Sequence, residues 1–185
     1  MACDLTTGRA KACFDTIAGI KKVYFSTEDL GAITYDVTDT DVITTFAGAP
    51  EFFEYDLKGN NNSYTETITK DVSNGTSFFA QSLAITLPKL TKEMNKELKL
   101  LVYASPTVIV QDFNDNYFTA GLVGGMDVTG GTIVSGAARG DLSGYTLTMT
   151  SEQAVPANFL FDADPPVSGI IEDTTATVSA VQSTP

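Results

Sequence analysis

Two runs of β-branched and aromatic residues, 64–70 and 76–87, flank Ser73-Asn74-Gly75, and the second run alternates Leu83, Ile85 and Leu87 with Ala84 and Thr86. A period of two puts one oily row on one face of an extended strand and leaves the other face polar. Asn and Gly accept the positive φ of a tight turn at little cost, so the pair reads as a β-hairpin. The row of Leu83, Ile85 and Leu87 has to be covered by a second layer of structure.

The same pattern recurs. Tyr145, Leu147 and Met149 alternate with threonines over 145–151. Shorter strand-like runs at 22–26, 32–37, 41–46, 51–57, 107–113 and 117–123 are separated by Asp, Gly, Asn and Thr clusters, with Gly59-Asn60-Asn61-Asn62 the clearest turn. Within 51–57, Phe53, Tyr55 and Leu57 alternate with Glu54 and Asp56, which predicts one buried and one wet face. One segment departs from this period. Leu90, Met94, Leu98 and Leu101 fall within about 80° of a helical circumference with Lys92, Lys96 and Lys99 opposite. That spacing predicts a helix over 89–104, behind Pro88 and stopped by Ser105-Pro106. The glycine-dense stretch 124–144 reads as a long loop that gains order against something else. The order strands, helix, strands predicts a mostly β chain with one α-helix. Its expected architecture is a β-sandwich or partly closed β-barrel over 21–160, flanked by the helix. An N-terminal arm over 1–20 and an acidic C-terminal extension over 161–185 frame it.

A chain of 185 residues suits one hydrophobic core. Its 23 acids against 11 bases give a formal charge of -12, and no Lys or Arg follows Arg139, whereas Asp141, Glu152, Asp162, Asp164, Glu172 and Asp173 do. Affinity for a polyanion comes from a basic surface that releases counterions, so this balance argues against a nucleic-acid binder. It is compatible with a surface that DNA slides past. No apolar run reaches the roughly 18 residues that a membrane span needs. The N-terminus lacks the charged-then-apolar order of a secretory signal, which predicts synthesis in the cytoplasm. A bridge between Cys3 and Cys13 is geometrically open, and a cytoplasmic site favours two reduced thiols.

The sequence offers little chemistry. With no histidine, the most common general base near neutral pH and the usual nucleophile triads are missing. Glu51, Glu54 and Asp56 could supply a glycosidase pair, but a wet sheet face explains their alternation more simply. Asp112-Phe113-Asn114-Asp115-Asn116 has oxygens for calcium without the Gly and distant Glu of an EF-hand loop, and it reads as a turn. The sequons Asn61-Asn62-Ser63 and Asn74-Gly75-Thr76 read as turn chemistry, and the stripe of Leu90, Met94, Leu98 and Leu101 as core. No catalytic, cofactor-binding or metal-binding residue is expected, and the chain reads as a structural protein, not an enzyme.

Several segments carry a resemblance: Met1-Ala-Cys-Asp-Leu-Thr-Thr-Gly8, Gly19-Ile-Lys-Lys-Val-Tyr-Phe25, Tyr64-Thr-Glu-Thr-Ile-Thr69, Met126-Asp-Val-Thr-Gly-Gly-Thr132 and Ala138-Arg-Gly-Asp-Leu-Ser-Gly-Tyr-Thr-Leu-Thr148. Together they resemble virion structural proteins of tailed phages over most of residues 1–160. The order of elements is similar to that of phage tail tube subunits, in which a sandwich or barrel with a flanking helix forms rings that stack into a tube. The resemblance implies a self-assembling tail protein, built in the host cytoplasm and resident in the virion tail. Its partners would be its own copies and other tail proteins, with DNA met only in passage, without specific binding, and no membrane. The arm 1–20, the hairpin tip 59–63 and the loop 124–144 would carry the contacts, and long hairpins such as 64–87 would join a ring-wide sheet that hides their edges. The alternative is a capsid decoration, a connector or a glycan-binding adhesin module, with Tyr55, Tyr64 and Tyr117 as the aromatics that would stack on sugar.

Overall fold

The computed structural model describes residues 8–9, 16–59 and 61–160. The predicted hairpin is present as β5 (Ser63–Asp71) and β6 (Thr76–Pro88), paired from Ser63↔Ala84 to Asp71↔Thr76. The Asp71 carboxylate fixes the turn by accepting from the N–H groups of Ser73 at 2.8 Å and Asn74 at 3.1 Å. Gly75 supplies the left-handed residue at φ 67°. On its other side β6 pairs with β10 (Ser143–Gln153), so that Leu87 faces Tyr145, Ile85 faces Leu147 and Leu83 faces Met149. All six side chains are buried, as the two alternating patterns require. With β9 (Asp127–Ser135) these strands make a four-stranded antiparallel sheet in the order β5-β6-β10-β9.

The second sheet holds seven strands in the order β2-β3-β11-β8-β7-β1-β4. They are β1 (Ile20–Ser26), β2 (Ile33–Tyr35), β3 (Val42–Phe46), β4 (Phe53–Asp56), β7 (Thr107–Asp112), β8 (Tyr117–Ala120) and β11 (Phe159–Leu160). Neither sheet is closed, and the arrangement is a β-sandwich-like one with a single helix, α1 (Lys92–Tyr103), among the described residues. Val23 and Phe25 of β1 and Val108 and Val110 of β7 meet the oily row of β6 and β10 in the main core, which Leu98 and Leu101 of α1 complete. Tyr24 and Ile109 point to the opposite face and join Ile43, Phe46, Phe52 and Leu160 in a smaller cluster. The central strands β1 and β7 are therefore apolar on both faces, and each buried branched side chain contributes on the order of 1.5–3 kcal/mol.

Four expectations need correction. Residues 124–144 are not one long loop, because β9 occupies Asp127–Ser135 and pairs with β10 from Ser143↔Ser135 to Thr150↔Asp127. The glycines are there for close approach as well as freedom: a Cβ on Gly125 would lie 1.9 Å from the Ser105 carbonyl oxygen, and one on Gly131 2.6 Å from that of Thr146. In residues 51–57, Phe53 is exposed while Phe52 is buried, since Phe52 packs on Phe46 at a ring separation of 6.1 Å just before β4 begins. The helix is shorter than residues 89–104: Lys89 is left-handed at φ 75°, and Thr91 caps α1 by accepting from the Met94 N–H at 3.1 Å. Leu90 therefore precedes the helix, and only Met94, Leu98 and Leu101 of the stripe pack on the core. Finally, the strands expected over 32–37 and 117–123 are only Ile33–Tyr35 and Tyr117–Ala120, the latter ended by left-handed Gly121.

Most of the arm 1–20, both cysteines and all of 161–185 lie outside the described residues. What is described of the arm is tied to the β7–β8 turn, where Asn114 accepts from the Ile17 N–H at 3.0 Å and donates to the Ile17 carbonyl at 2.8 Å.

Leu83 touches both neighbouring strands and is fully buried. Leu83→Ala is expected to lower stability in urea unfolding by about 2–5 kcal/mol. Burial, helped by the nearby charge of Glu97, pushes the Tyr55 hydroxyl up to about 12. A tyrosine raised in this way keeps its proton in the folded state after the unfolded chain has lost it. Its contribution is complete below about pH 10 and is lost as the pH climbs through the folded value. Stability is expected to fall between about pH 10 and about pH 12, and less steeply in Tyr55→Phe, as followed by chemical denaturation across that range.

Candidate interaction surface

Both edges of the four-stranded sheet are open among the described residues. β5 and β9 are each 9 residues long and each pairs on one side only. Successive neighbours β5-β6, β6-β10 and β10-β9 are all antiparallel, so β5 and β9 run in opposite directions. An open edge offers a row of unpaired N–H and C=O groups to another strand. Each edge also presents an apolar side chain to solvent: Ile68 of β5 is 72% exposed and Ile133 of β9 62%.

The two faces of this sheet differ. Alternation sends Leu83, Ile85, Leu147 and Met149 to the core and Ser82, Thr86, Thr146, Thr148 and Thr150 outward, with Thr65 and Thr67 beside them on β5. The outward face is lined with hydroxyl groups; Thr132 and Thr146 hold each other at 2.8 Å across β9 and β10. No Lys or Arg occurs in β6, β9 or β10. Lys70 of β5 falls in the core-facing register, two residues beyond Ile68. The charges in the outward register are Asp71, Glu152 and Asp127, which stands opposite Thr150 and accepts from the Ser105 hydroxyl at 2.6 Å; all three are acidic.

Between the inner flank of β9 and α1 lies a cavity of about 520 Å³, lined by Leu98, Val102, Val128, Ile133 and Leu147, with Lys99 at its rim. It exists because Gly131, opposite Leu147, has no side chain. A second cavity of about 490 Å³ is lined by Gly19, Asn62, Tyr64 and Phe113. The Tyr64 hydroxyl is buried with no hydrogen-bond partner among the described residues, and burial raises its pKa.

The residues singled out for chemistry do other things. Glu54 and Asp56 both approach Lys22, at 2.6 and 3.7 Å, and the hydrogen bond to Glu54 leads the causes that raise the Lys22 pKa. Glu51 lies apart: its N–H donates to the Glu28 carboxylate at 2.8 Å. Asp112 spends an oxygen on the N–H groups of Asn114 and Asn116, both at 2.8 Å, as a turn residue does. Asp115 binds Lys21 at 2.7 Å, and this hydrogen bond holds its carboxyl below the usual range. No group of three or more Cys, Asp or Glu side chains suited to a metal occurs among the described residues. Asn62 is buried and accepts from the Thr86 N–H at 2.8 Å, while Asn74 sits in the hairpin turn. Tyr55 packs edge-on against Phe25 at 5.1 Å, Tyr64 tilts on Phe118 at 4.9 Å and Tyr117 lies 6.5 Å from Tyr24. No helix among the described residues is long and apolar enough to cross a membrane.

Sequence reasoning did not single out Ile68, Val102, Tyr103 or Ile133 as surface residues. Ile68 carries a signal in retrospect: it continues the inward register of Tyr64 and Glu66 past the end of the core. No protein-family model, curated protein or solved structure matches the chain.

The two central glycines of β9 give opposite expectations. Gly131→Ala drives a methyl group against the Thr146 carbonyl and should cost about 1–3 kcal/mol, with faster amide exchange over 132–134. At Gly130 the nearest atom, Thr148 Cβ, is 4.0 Å away. Gly130→Ala should leave exchange unchanged or slower, since it removes a strand glycine without a clash.

Proposed function

We propose that this chain is a tail tube subunit of a tailed phage, whose copies join head to tail through β9 of one and β5 of the next. The observation that carries the reading is the pair of open, equally long, oppositely directed edges on one sheet. Placed side by side, β9 and the β5 of another copy continue the antiparallel alternation without a break. Such a contact is heterologous, and it closes into a ring when the rotation between copies divides a full turn. Joining the edges also covers Ile68 and Ile133, whose exposure is otherwise a liability.

The hydroxyl-lined outer face supports the same reading from another direction. A DNA-conducting wall must lack the cations that bind phosphate, and this face combines neutral hydroxyl groups with acids. Stacking of rings falls in this proposal to the arm 1–20, to residues 59–63, which are not a hairpin tip but lead from β4 of one sheet into β5 of the other, and to the turn 136–142 that follows β9. Other tail proteins would close the ends of the tube.

Two charged variants test the join. Ile133→Lys and Ile68→Lys each place a charge on one edge while leaving the core intact, so each is expected to give a folded monomer by sedimentation. Mixed together, each still offers one good edge, and the expected product is a one-to-one heterodimer that grows no further. If Ile68→Lys assembles as the unmodified chain does, the copies meet by a symmetric β9 to β9 contact and the head-to-tail proposal is wrong. An unmodified chain that shows no rings or tubes in negative-stain images at high concentration would also count against it.

A further inference from the structure

The cavity between α1 and β9 is an apolar groove with a cationic bank. On the helix, Asn95, Leu98, Lys99, Val102 and Tyr103 face it, and Ile133 closes the far side. Val102 is more than half exposed and Tyr103 is 78% exposed. Lys92, Lys96 and Lys99 follow one another at i, i+4 and i+7, so they form a row on one side of α1, and Lys99 brings that row to the groove. Glu93 and Glu97 lie on the other side of the buried stripe; Glu97 is the charge felt by Tyr55 of β4. Among the described residues none of the three lysines is in an ion pair. Such a groove suits a short apolar segment with acids attached.

We infer that the groove is occupied by residues 170–173 of the same chain, Ile170-Ile171-Glu172-Asp173, with the isoleucines against Val102 and Ile133 and the two carboxylates on the lysine row. Charge complementarity selects this occupant. Residues 161–185 contain Asp162, Asp164, Glu172 and Asp173 and no Lys or Arg, whereas residues 1–15 balance Asp4 and Asp15 with Arg9 and Lys11. Length permits it. Ile170 stands ten residues beyond Leu160, where β11 ends, a reach of about 35 Å when extended. That is more than twice the radius of gyration of about 15 Å expected for a domain of this size. Intramolecular docking also benefits from a high effective concentration. The segment would cover the inner flank of β9. The docking does not depend on the join between copies, so either can fail alone.

The test uses isotope-labelled full-length protein at a concentration where sedimentation gives a monomer. Backbone amide resonances of 98–103 and 128–133 are compared between the unmodified chain and Ile170→Asp/Ile171→Asp, at low and high salt. The expected result is a shift confined to the groove in the double variant, matched by Lys96→Glu/Lys99→Glu at the resonances of 170–173. High salt should move the unmodified chain towards the variants, and dilution should change nothing. Identical groove resonances in the unmodified chain and the double aspartate variant would overturn the proposal. So would a groove signal that fades on dilution, which would assign the occupant to a second copy, or one that responds only to substitutions in residues 1–15.

Discussion

Leu83, Ile85 and Leu87 lie in the middle of the four-stranded sheet, flanked by β5 on one side and facing Met149, Leu147 and Tyr145 on the other. Because side chains alternate strictly along a strand, a shift of one residue in this pairing would turn the three buried groups of the shifted strand away from the core. The register of β6 thus fixes what lies on either face of the sheet. It also fixes which residues of β5 and β9 end up at open edges, since both strands are positioned through β6 and β10. The second layer follows: Val23, Phe25, Val108 and Val110 are where the oily row needs cover.

Buried polar groups tie the two layers where apolar contact would not be specific. Gln81 of β6 accepts from the Gly121 N–H at 2.8 Å, which locks the four-stranded sheet to the end of β8. Gln153 makes the same kind of link, accepting from the Val123 N–H and donating to the Val123 carbonyl. Asn158 accepts from the Thr119 N–H at 2.9 Å and donates to the Asp41 carbonyl, which seats the short strand β11 between β3 and β8. A buried donor or acceptor left without a partner is costly, so these contacts select one relative placement of the sheets.

Among the described residues, the four-stranded sheet leaves open what most small β proteins protect. Edge strands are usually short, charged or covered, yet β5 and β9 run for 9 residues each, and Ile68 and Ile133 are exposed on them. An open edge, a hydroxyl-lined face without cations and an apolar groove beside lysines all occur on this one sheet and the helix next to it. The seven-stranded sheet instead spends its second face on a further apolar cluster. The seven-stranded sheet thus packs apolar clusters on both faces, whereas the four-stranded sheet packs one face and turns a hydroxyl-lined face away from the core among the described residues.

Local pattern alone established the β6 and β10 alternation, the Asn74-Gly75 turn, the helical stripe and the two-layer β class, because each depends on neighbours a few residues apart. It misjudged 124–144: glycine density reads as freedom, whereas Gly125 and Gly131 are placed by close approach to Ser105 and Thr146, a distance that exists only after folding. It also placed Phe53 on the buried face, whereas the buried ring is Phe52, which packs on Phe46 across the loop between β3 and β4, a contact that alternation within 51–57 does not record. Tertiary structure alone decided that β5 and β9 are the outer strands, that their directions oppose, and that α1 leaves a groove beside Lys99. Strand order is set by contacts between segments far apart in the chain, and a one-dimensional pattern of polar and apolar residues does not record which strand has no neighbour.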